Sequence, residues 1–418
     1  MINQLIGKNY SQVVNMLIFI FPIVINSLQV AGDIVLVILA IMGIFIAISQ
    51  KLSPFAIKEI KVFSYLTFGY FISVCLSVIF SGQASELAHY IPRDFYFLFA
   101  PFIALALFKA EINLSYLLNG IKFALLLLGL IVLMGSHHFL INDYNFYPRY
   151  CGVMNCGVFG NLAVVMFFIA FIFSKYESLK YRIFTFLSLL SGLYIIIMSQ
   201  TRGAWLSALL LVVVNIYFFY RKKIKLNNKL KIISVSIFAI VIFAIVIYAI
   251  ASNQTVNDRK NDALLEISNW VSGDKTPTSI SLRLGMYSKA FDEIENVPFF
   301  GHGYRTSNIA LFKNDSSKIG KKSVGFNHLH NAYLTNYYNG GIVLLSTLLM
   351  LLFVPLRIFL IASNQSREDP VHIAGVTLII GYASFGMVNI LLGDTYMNGF
   401  YVFFLAIFML LTNKSIKA

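Results

Sequence analysis

Long apolar runs alternate with short polar turns along almost the entire chain. A membrane helix needs roughly 17–25 apolar residues, because it rises about 1.5 Å per residue across a hydrocarbon core of about 30 Å. The runs are apolar throughout rather than at alternate positions, which argues against a transmembrane β-barrel. The pattern therefore predicts an all-α polytopic membrane protein with about 12 transmembrane helices. The predicted runs are residues 12–28, 30–49, 62–80, 92–108, 117–135, 153–173, 183–199, 203–220, 232–252, 337–361, 371–391 and 399–413.

One long polar segment, residues 251–331, separates the ninth predicted helix from the tenth. It divides the chain into transmembrane helices 1–9 (residues 1–252), a large loop with short helices and the candidate catalytic motifs (253–336), and transmembrane helices 10–12 (337–418). The polar motifs lie in the second half of the segment.

Composition agrees with a membrane protein. Hydrophobic residues make up 58% of the chain and charged residues 12%, whereas soluble domains carry about 25% charged residues. The formal net charge of +14 would suggest nucleic-acid binding in a soluble protein. Here most of the excess lies in short loops, where it is typical of an orientation signal, so no nucleic-acid partner is expected.

The basic loops fall on one side of the predicted helices. The short loops on the opposite side hold only Arg93, Arg149 and Arg202. The positive-inside rule therefore predicts that both termini lie in the cytoplasm and that the long polar segment lies outside it. Most histidines would lie on that outer face. They would either take part in proton-transfer chemistry there or simply be tolerated as polar aromatic residues at the interface. These histidines are His89, His137, His138, His302, His328 and His330.

The cysteines Cys75, Cys151 and Cys156 do not form a disulfide framework, and a structural bridge between the last two is not expected. The first apolar run lacks a basic segment and a small-residue cleavage site. It is therefore predicted to be an uncleaved first helix rather than a signal peptide.

A tight outer hairpin between two apolar runs contains Arg202. An arginine at the membrane edge is costly unless it is paired or hydrated, and its planar fork suits a phosphate. Gly203 would let a ligand approach the backbone closely. The alternative is an arginine that extends to the interface beside Trp205 without any ligand.

An amphipathic helix is predicted over residues 281–294, where Met286, Ala290 and Ile294 recur every fourth position. Ser281 is the predicted cap, and Arg283 falls in the first turn. A cation there opposes the helix dipole unless an anion joins it. Residues 252–278 before this helix are predicted to be a variable connection.

Two histidines, His328 and His330, come just before the tenth apolar run. Their spacing fits no zinc motif, so no metal is expected. A histidine followed by Asn331 at a helix start, with arginines in reach, is typical of a general base with an orienting partner. A buried structural histidine is the alternative interpretation.

Missing motifs narrow the chemistry further. The chain has no phosphate-binding loop of a nucleotide hydrolase and no Asp-x-Asp pair in the outer loop for a metal-held nucleotide sugar. Carboxylates outside the membrane are few, which gives little support to a two-carboxylate glycosidase. Arginines without a metal favour a diphosphate that the side chains themselves neutralise. At a membrane surface, this indicates a polyprenyl-diphosphate-linked donor.

Four motifs together resemble the O-antigen ligase family of bacterial membrane glycosyltransferases. They are Gln-Thr-Arg-Gly-Ala (200–204), Arg-Leu-Gly-Met-Tyr (283–287), Pro-Phe-Phe-Gly-His-Gly-Tyr (298–304) and His-Asn-Ala-Tyr-Leu (330–334). The resemblance implies transfer of a glycan from undecaprenyl diphosphate to lipid A–core. The reaction would need no metal or other cofactor, and it would occur at the periplasmic face of the bacterial inner membrane, among membrane lipids.

The resemblance also implies roles for individual residues. Arg202 and Arg283 would bind the diphosphate, and His330 would deprotonate the acceptor hydroxyl; whether His328 shares that role stays open. Asp394 is a candidate to orient His330. Direct displacement at the anomeric carbon predicts inversion. Further candidates for substrate binding are His302, Arg305, Asn331 and Tyr333.

The donor-binding motifs do not separate the ligase from an O-antigen polymerase or an O-linked protein oligosaccharyltransferase. The size of the chain and its single late outer loop favour the ligase. A transporter of lipid-linked glycan is a further alternative, but it predicts charged groups near the membrane midplane. The apolar runs contain almost none.

Overall fold

The computed structural model describes residues 2–136, 151, 155–221, 254–366 and 369–415, and throughout these ranges the chain is helical with turns and loops but no strand. This confirms the all-α prediction. The helices named below are α1 (Ile2–Ser27), α2 (Gln29–Ser49), α3 (Lys58–Phe80), α4 (Phe95–Lys109), α5 (Leu114–Ser136), α6 (Cys156–Ser174), α7 (Leu179–Met198), α8 (Arg202–Arg221), α9 (Gln254–Val271), α10 (Ser279–Asp292), α11 (Ser307–Phe312), α12 (Lys318–Ser323), α13 (Ala332–Gln365), α14 (Pro370–Gly386) and α15 (Thr395–Ser415).

Among the described residues, 10 helical segments are long and apolar enough to cross a membrane. They are α1–α3, the segment Ala84–Lys109 that ends with α4, α5–α8, α13 and α15. Together with the shorter apolar helix α14, they coincide with all but one of the predicted runs. The ninth run, residues 232–252, lies outside the described residues. The protein is therefore a multi-pass membrane protein, as predicted.

Helix α15 lies at the centre of the helix packing, between α3, α4 and α14. Phe400, Phe404 and Phe408 on this helix are fully buried. Stacking between Phe400 and Phe404, with ring centroids 4.2 Å apart, continues the aromatic core along the helix. The buried centre supports α13 and α14, and the candidate site lies at the start of α13 and beyond the end of α14.

Helix α13 is kinked where Gly340 (φ −131°) and Gly341 (φ 62°) leave helical geometry. The loop containing Gly301 packs directly into this kink. The N–H of His302 donates to the carbonyl of Tyr338 at 2.8 Å, and the N–H of the next residue, Gly303, donates to that of Asn339 at 3.0 Å. A β-carbon on Gly301 would come within 2.4 Å of the Asn339 backbone. The Pro-Phe-Phe-Gly-His-Gly-Tyr motif therefore pairs backbone groups at the break in α13.

Helix α10 rests on the N-terminal half of α13, and the amphipathic prediction for this segment is confirmed on its buried side. Met286 and Ala290 are fully buried. The hydroxyl of Tyr338 donates to the carbonyl of Ala290 at 2.6 Å, which ties the two helices together. The small core that they share consists of Met286, Ala290, Leu311, Phe312, Leu329 and Tyr338.

The predicted start of α10 was wrong by about one turn. Thr278 is the N-cap, and Ser281 occupies the third helical position of a capping box. Arg283 therefore lies beyond the first turn. The connection predicted at residues 252–278 is largely helical because it contains α9, and the Glu266 carboxylate of α9 accepts the N–H of Ile280 at 2.7 Å.

Cys151 and Cys156 form a disulfide, so the expectation of no bridge was wrong. Their Cα atoms are 5.0 Å apart, within the range that a disulfide spans. Cys151 lies close to the first residue of α6, Cys156, with which it pairs. The bridge lies at the first residue of α6, which is the end of that helix nearest the outer hairpin.

Candidate active site

The outer hairpin joins α7 to α8 and fixes Arg202 at the first position of α8. Gln200 has a left-handed backbone (φ 48°) and is almost fully buried. The Thr201 hydroxyl donates to the carbonyl of Cys156 at 2.9 Å, which fastens the hairpin to the start of α6. The Trp205 indole donates to the Ile196 carbonyl at 3.0 Å and so closes the hairpin from within.

Gly203 makes room for the protein rather than for a ligand. A β-carbon at this position would lie 2.6 Å from Cγ2 of Val388. The prediction that this glycine lets a ligand approach the backbone was therefore wrong, because the loop after α14 occupies the space. The same contact brings that loop against the Arg202 hairpin.

Arg283 extends from α10 toward the same region. One terminal nitrogen of its guanidinium, Nη1, lies 3.4 Å from the Ser279 hydroxyl, while Nε is buried without a hydrogen-bond partner in the described part of the chain. Burial is the main cause of the lowered pKa of Arg283; Tyr287 and the Glu266 carboxylate oppose this shift, and the charge of Arg202 adds to it. Two cations thus lie close together in a poorly solvated place, which is the setting in which a bound anion is most stabilising.

His330 has a left-handed backbone (φ 52°), a conformation that non-glycine residues adopt at a cost. Tyr287 of α10 donates its hydroxyl to the His330 carbonyl at 2.8 Å. The next residue, Asn331, caps α13 by accepting the N–H groups of Tyr333 and Leu334, both at 3.0 Å. The strained backbone of His330 is therefore held by Tyr287 on one side and by the start of α13 on the other. The Asn331 side chain caps that helix and is not free.

The two histidine rings contact each other. Nε2 of His328 lies 3.2 Å from Nδ1 of His330, and Nδ1 of His328 lies 2.7 Å from Oδ1 of Asn327. At the other end of this chain, the side chain of Asn389 lies near His330 and raises the pKa of its ring.

Burial keeps both rings neutral. Burial, and to a lesser degree the Arg283 charge, lowers the pKa of His328 to about 4. Burial, His328 and Arg283 lower the pKa of His330 to about 3, and the nearby Asn389 side chain opposes them. Both imidazoles are therefore neutral at pH 7, the state that a general base requires.

Asn389 and Asn327 were not identified from the sequence. Asn389 was placed inside the predicted run 371–391, but α14 ends at Gly386, so Asn389 lies in the following loop. The available signal was a polar side chain at the end of an otherwise apolar run. Asn327 had no signal beyond its position next to His328.

Two predicted site residues have structural partners instead. Asp394 accepts the N–H of Met397 at 3.2 Å at the start of α15, and burial raises its pKa. The His330 ring contacts His328, and no described contact joins that ring to Asp394, so the orienting role of Asp394 stays a prediction. The Tyr333 hydroxyl donates to the Ala383 carbonyl at 2.8 Å and links α13 to α14.

His302 and Arg305 lie at the kink of α13 rather than beside the two histidines. The His302 ring stacks on Tyr338, with centroids 6.0 Å apart, and burial lowers its pKa. Arg305 is half-buried in a left-handed turn (φ 64°). Between them, Tyr304 donates its hydroxyl to the Asp94 carboxylate at 2.6 Å, which secures the loop to the turn before α4.

The described residues contain no group of three His, Cys, Asp or Glu side chains that could hold a metal ion. What this part of the chain brings together is a pair of arginines and a pair of neutral histidines. These groups can hold an anion and accept a proton.

Comparison with known proteins assigns this region to a family. A protein of Haemophilus influenzae, described as uncharacterized, is 25% identical to this chain over 381 residues, which cover 90% of this chain and 92% of the relative. Residues 186–349 match the family model described as O-antigen ligase, a range that contains the Arg202 hairpin, Arg283 and His330. The resemblance of the sequence motifs is confirmed: the chain carries an O-antigen ligase family domain, of the ligase or polymerase type of membrane glycosyltransferase.

Proposed function

We propose that the protein is an O-antigen ligase, which transfers a glycan from undecaprenyl diphosphate to lipid A–core at the periplasmic face of the bacterial inner membrane. The observation that carries the proposal is that Arg283 lies close to Arg202, at the start of α8, and also close to two neutral histidines just before α13. The O-antigen ligase match over residues 186–349 supports the reaction class.

In this proposal Arg202 and Arg283 bind the donor diphosphate. A bound anion would give the buried Nε of Arg283 a partner and offset the like charges of Arg202 and Arg283. The N-terminal end of α8 adds partial positive charge beside Arg202. The same cations would stabilise the charge that develops on the departing diphosphate, a term that is often the largest in such catalysis.

His330 is the general base of the proposed reaction. The acceptor hydroxyl oxygen forms a bond to the anomeric carbon, its proton passes to His330, and the bond from that carbon to the diphosphate oxygen breaks. The diphosphate leaves with the bonding electron pair. A single displacement inverts the configuration at the anomeric carbon.

Donor binding is expected to precede proton transfer. In the free protein the charge of Arg283 lowers the pKa of both histidines. A bound diphosphate would offset that charge and raise both pKa values, because a nearby anion favours the imidazolium. His330 would therefore become an effective base only when a donor is present.

The disulfide supports the proposed orientation. Disulfides persist in oxidising compartments, and the Cys151–Cys156 bridge is fastened to the Arg202 hairpin through Thr201. The excess of basic residues in the loops on the other side supports the same orientation, with both termini in the cytoplasm.

A reconstituted transfer assay tests the function. Purified protein in lipid nanodiscs would receive a polyprenyl-diphosphate-linked glycan together with lipid A–core, a second lipid-linked glycan or an acceptor protein. We expect glycosylated lipid A–core with an inverted linkage. Longer lipid-linked chains would instead identify a polymerase, glycosylated protein an oligosaccharyltransferase, and no transfer to any acceptor would contradict the proposal.

A further inference from the structure

Tyr287 of α10 holds the backbone of His330 in place. Its hydroxyl donates to the His330 carbonyl at 2.8 Å. That residue has a left-handed backbone (φ 52°), which a non-glycine residue keeps only where its surroundings hold it. The preceding residue, Leu329, is fully buried and donates its N–H to the Thr335 hydroxyl of α13 at 3.0 Å. The turn is thus held by α13 on one side and by the Tyr287 hydroxyl on the other.

Arg283 lies one helical turn before Tyr287 on α10. Residues four apart in an α-helix lie on the same face, about 6 Å apart along the axis. Burial raises the pKa of Tyr287, and the charge of Arg283 opposes that shift, so the two side chains lie close together. A single helix therefore carries the arginine proposed to bind the diphosphate and also holds the proposed base.

We propose that Tyr287 is a positioning residue that sets the distance between His330 and the donor diphosphate bound by Arg283. The inference rests on the proposed transferase function and adds a residue to it. Tyr287 touches none of the reacting atoms and acts through the backbone of His330.

The proposed displacement depends on this distance. The acceptor oxygen attacks the anomeric carbon from the side opposite to the departing diphosphate, so the base and the diphosphate lie on opposite sides of that carbon. Reacting atoms must approach within about 3–3.5 Å, and a misplacement of about 1 Å can cost about 10²-fold in rate. A rigid helix that binds the diphosphate through one residue and holds His330 through another keeps the separation constant.

A second tyrosine joins α10 to α13 without contacting the histidines. The Tyr338 hydroxyl of α13 donates to the Ala290 carbonyl of α10 at 2.6 Å, and its side chain is fully buried, whereas Tyr287 is half-buried. Removal of the Tyr338 hydroxyl should cost at least as much stability as removal of the Tyr287 hydroxyl, because the shorter bond is more deeply buried. Tyr338 therefore provides a control for effects of the helix contact itself.

Tyr287→Phe and Tyr338→Phe, measured side by side in the reconstituted transfer assay, test the proposal. We expect Tyr287→Phe to lower kcat by about 10–10²-fold, because His330 is displaced. The donor KM should stay within about twofold of the wild type, because Arg283 still binds the diphosphate. Tyr338→Phe should keep kcat within about threefold of the wild type, although its melting temperature falls at least as far as that of Tyr287→Phe.

The pH dependence of kcat gives a readout that a purely structural role would not change. Burial is the main cause of the lowered pKa of His330. A ring that is no longer held in place becomes better solvated, so its pKa rises toward the ordinary value of 6.5. The acid limb of the kcat profile should therefore move to higher pH in Tyr287→Phe and keep its wild-type position in Tyr338→Phe.

A kcat within about threefold of the wild type in Tyr287→Phe would overturn the positioning role. Equal losses of kcat, or equal shifts of the acid limb, in the two phenylalanine variants would overturn it as well, because they would trace the effect to the contact between α10 and α13. Failure of the transferase proposal is distinguishable, because the wild type itself would then transfer glycan to no acceptor.

Discussion

Arg283 is a half-buried arginine that lies beside a second cation. Its Nε is buried without a partner, and Arg202 lies close enough to lower its pKa. We predict that Arg283→Met lowers transfer by about 10²–10³-fold, as expected for loss of a group that stabilises the leaving charge. The same change should leave the melting temperature of the donor-free protein unchanged or raise it, because it removes a half-buried charge whose Nε has no hydrogen-bond partner.

Lys289→Met is the matched control for that variant. Lys289 is on the same helix, but it is partly exposed and pairs with Glu293 at 3.2 Å. It should retain full transfer and gain no thermal stability, since exposed ion pairs contribute little. A donor-free Arg283→Met protein that melts well below the wild type would show that Arg283 supports the fold rather than the anion.

The histidine pair makes stability depend on pH. Burial holds the pKa of His330 at about 3 in the folded protein, against an ordinary value of 6.5. Between these values the unfolded chain binds a proton that the folded one does not, so stability falls as pH decreases from about 6.5. We predict that the melting temperature drops more between pH 7 and pH 4.5 in the wild type than in the double variant His328→Asn/His330→Asn.

Carboxylates elsewhere titrate in the wild type and in the double variant alike. The difference between the two proteins in how steeply the melting temperature falls with pH therefore reports the histidines. Parallel melting curves over this pH range would contradict the neutral, buried histidine pair.

At the scale of single residues, the sequence indicated the groups whose chemistry is rare in a membrane protein, but not the partners that they meet in space. Arg202, Arg283 and His330 were recognisable because each is a polar group in a membrane-edge motif. Asn389 was missed because it fell inside the predicted run 371–391, and only the end of α14 at Gly386 shows that it lies in the following loop, near His330.

At the scale of elements, the contact between the Gly301 loop and the kink of α13 holds the N-terminal half of that helix in place. His330 and its cap Asn331 lie at the start of this half. The backbone of Gly301 is left-handed (φ 74°), and a β-carbon would also come within 2.4 Å of the Asn339 backbone. We predict that Gly301→Ala destabilises the fold by more than the roughly 1–2 kcal/mol of left-handed strain alone, because overpacking adds a further cost of about 1–3 kcal/mol.

Gly273→Ala separates the two contributions. Gly273 is also left-handed (φ 91°), but a β-carbon there meets nothing within 4 Å. It should show the strain alone and keep normal transfer, whereas Gly301→Ala should lose transfer together with thermal stability. Equal effects of the two substitutions, measured by thermal unfolding and by transfer, would mean that the kink contact is unimportant.

The kink itself could not be read from the apolar pattern. A hydropathy window averages over Gly340 and Gly341, so one continuous run was predicted where two helical halves meet. The amphipathic face of α10 was predictable, because Met286 and Ala290 recur at helical spacing. What this face packs against was not predictable, because the same spacing fits a helix on a membrane surface and a helix on a protein core. Both residues lie in the small protein core.

At the scale of the whole molecule, the lengths of the apolar runs were sufficient to predict an all-α membrane protein. The orientation is a separate matter, because no helix length distinguishes one side of a membrane from the other. Basic residues and the disulfide supply independent arguments for the same orientation. The disulfide is the more direct of the two, since its redox state depends on the compartment that it faces.

Thiol labelling in cells tests that orientation. In a Cys75→Ser background, the remaining cysteines are Cys151 and Cys156, which the structure pairs. With both termini in the cytoplasm, this pair faces the oxidising periplasm. We predict no reaction with a maleimide polymer in denatured, unreduced samples and a gel shift of two additions after reduction. In the opposite orientation the pair would face the reducing cytoplasm, so two additions without reductant would overturn the proposed location of the active site.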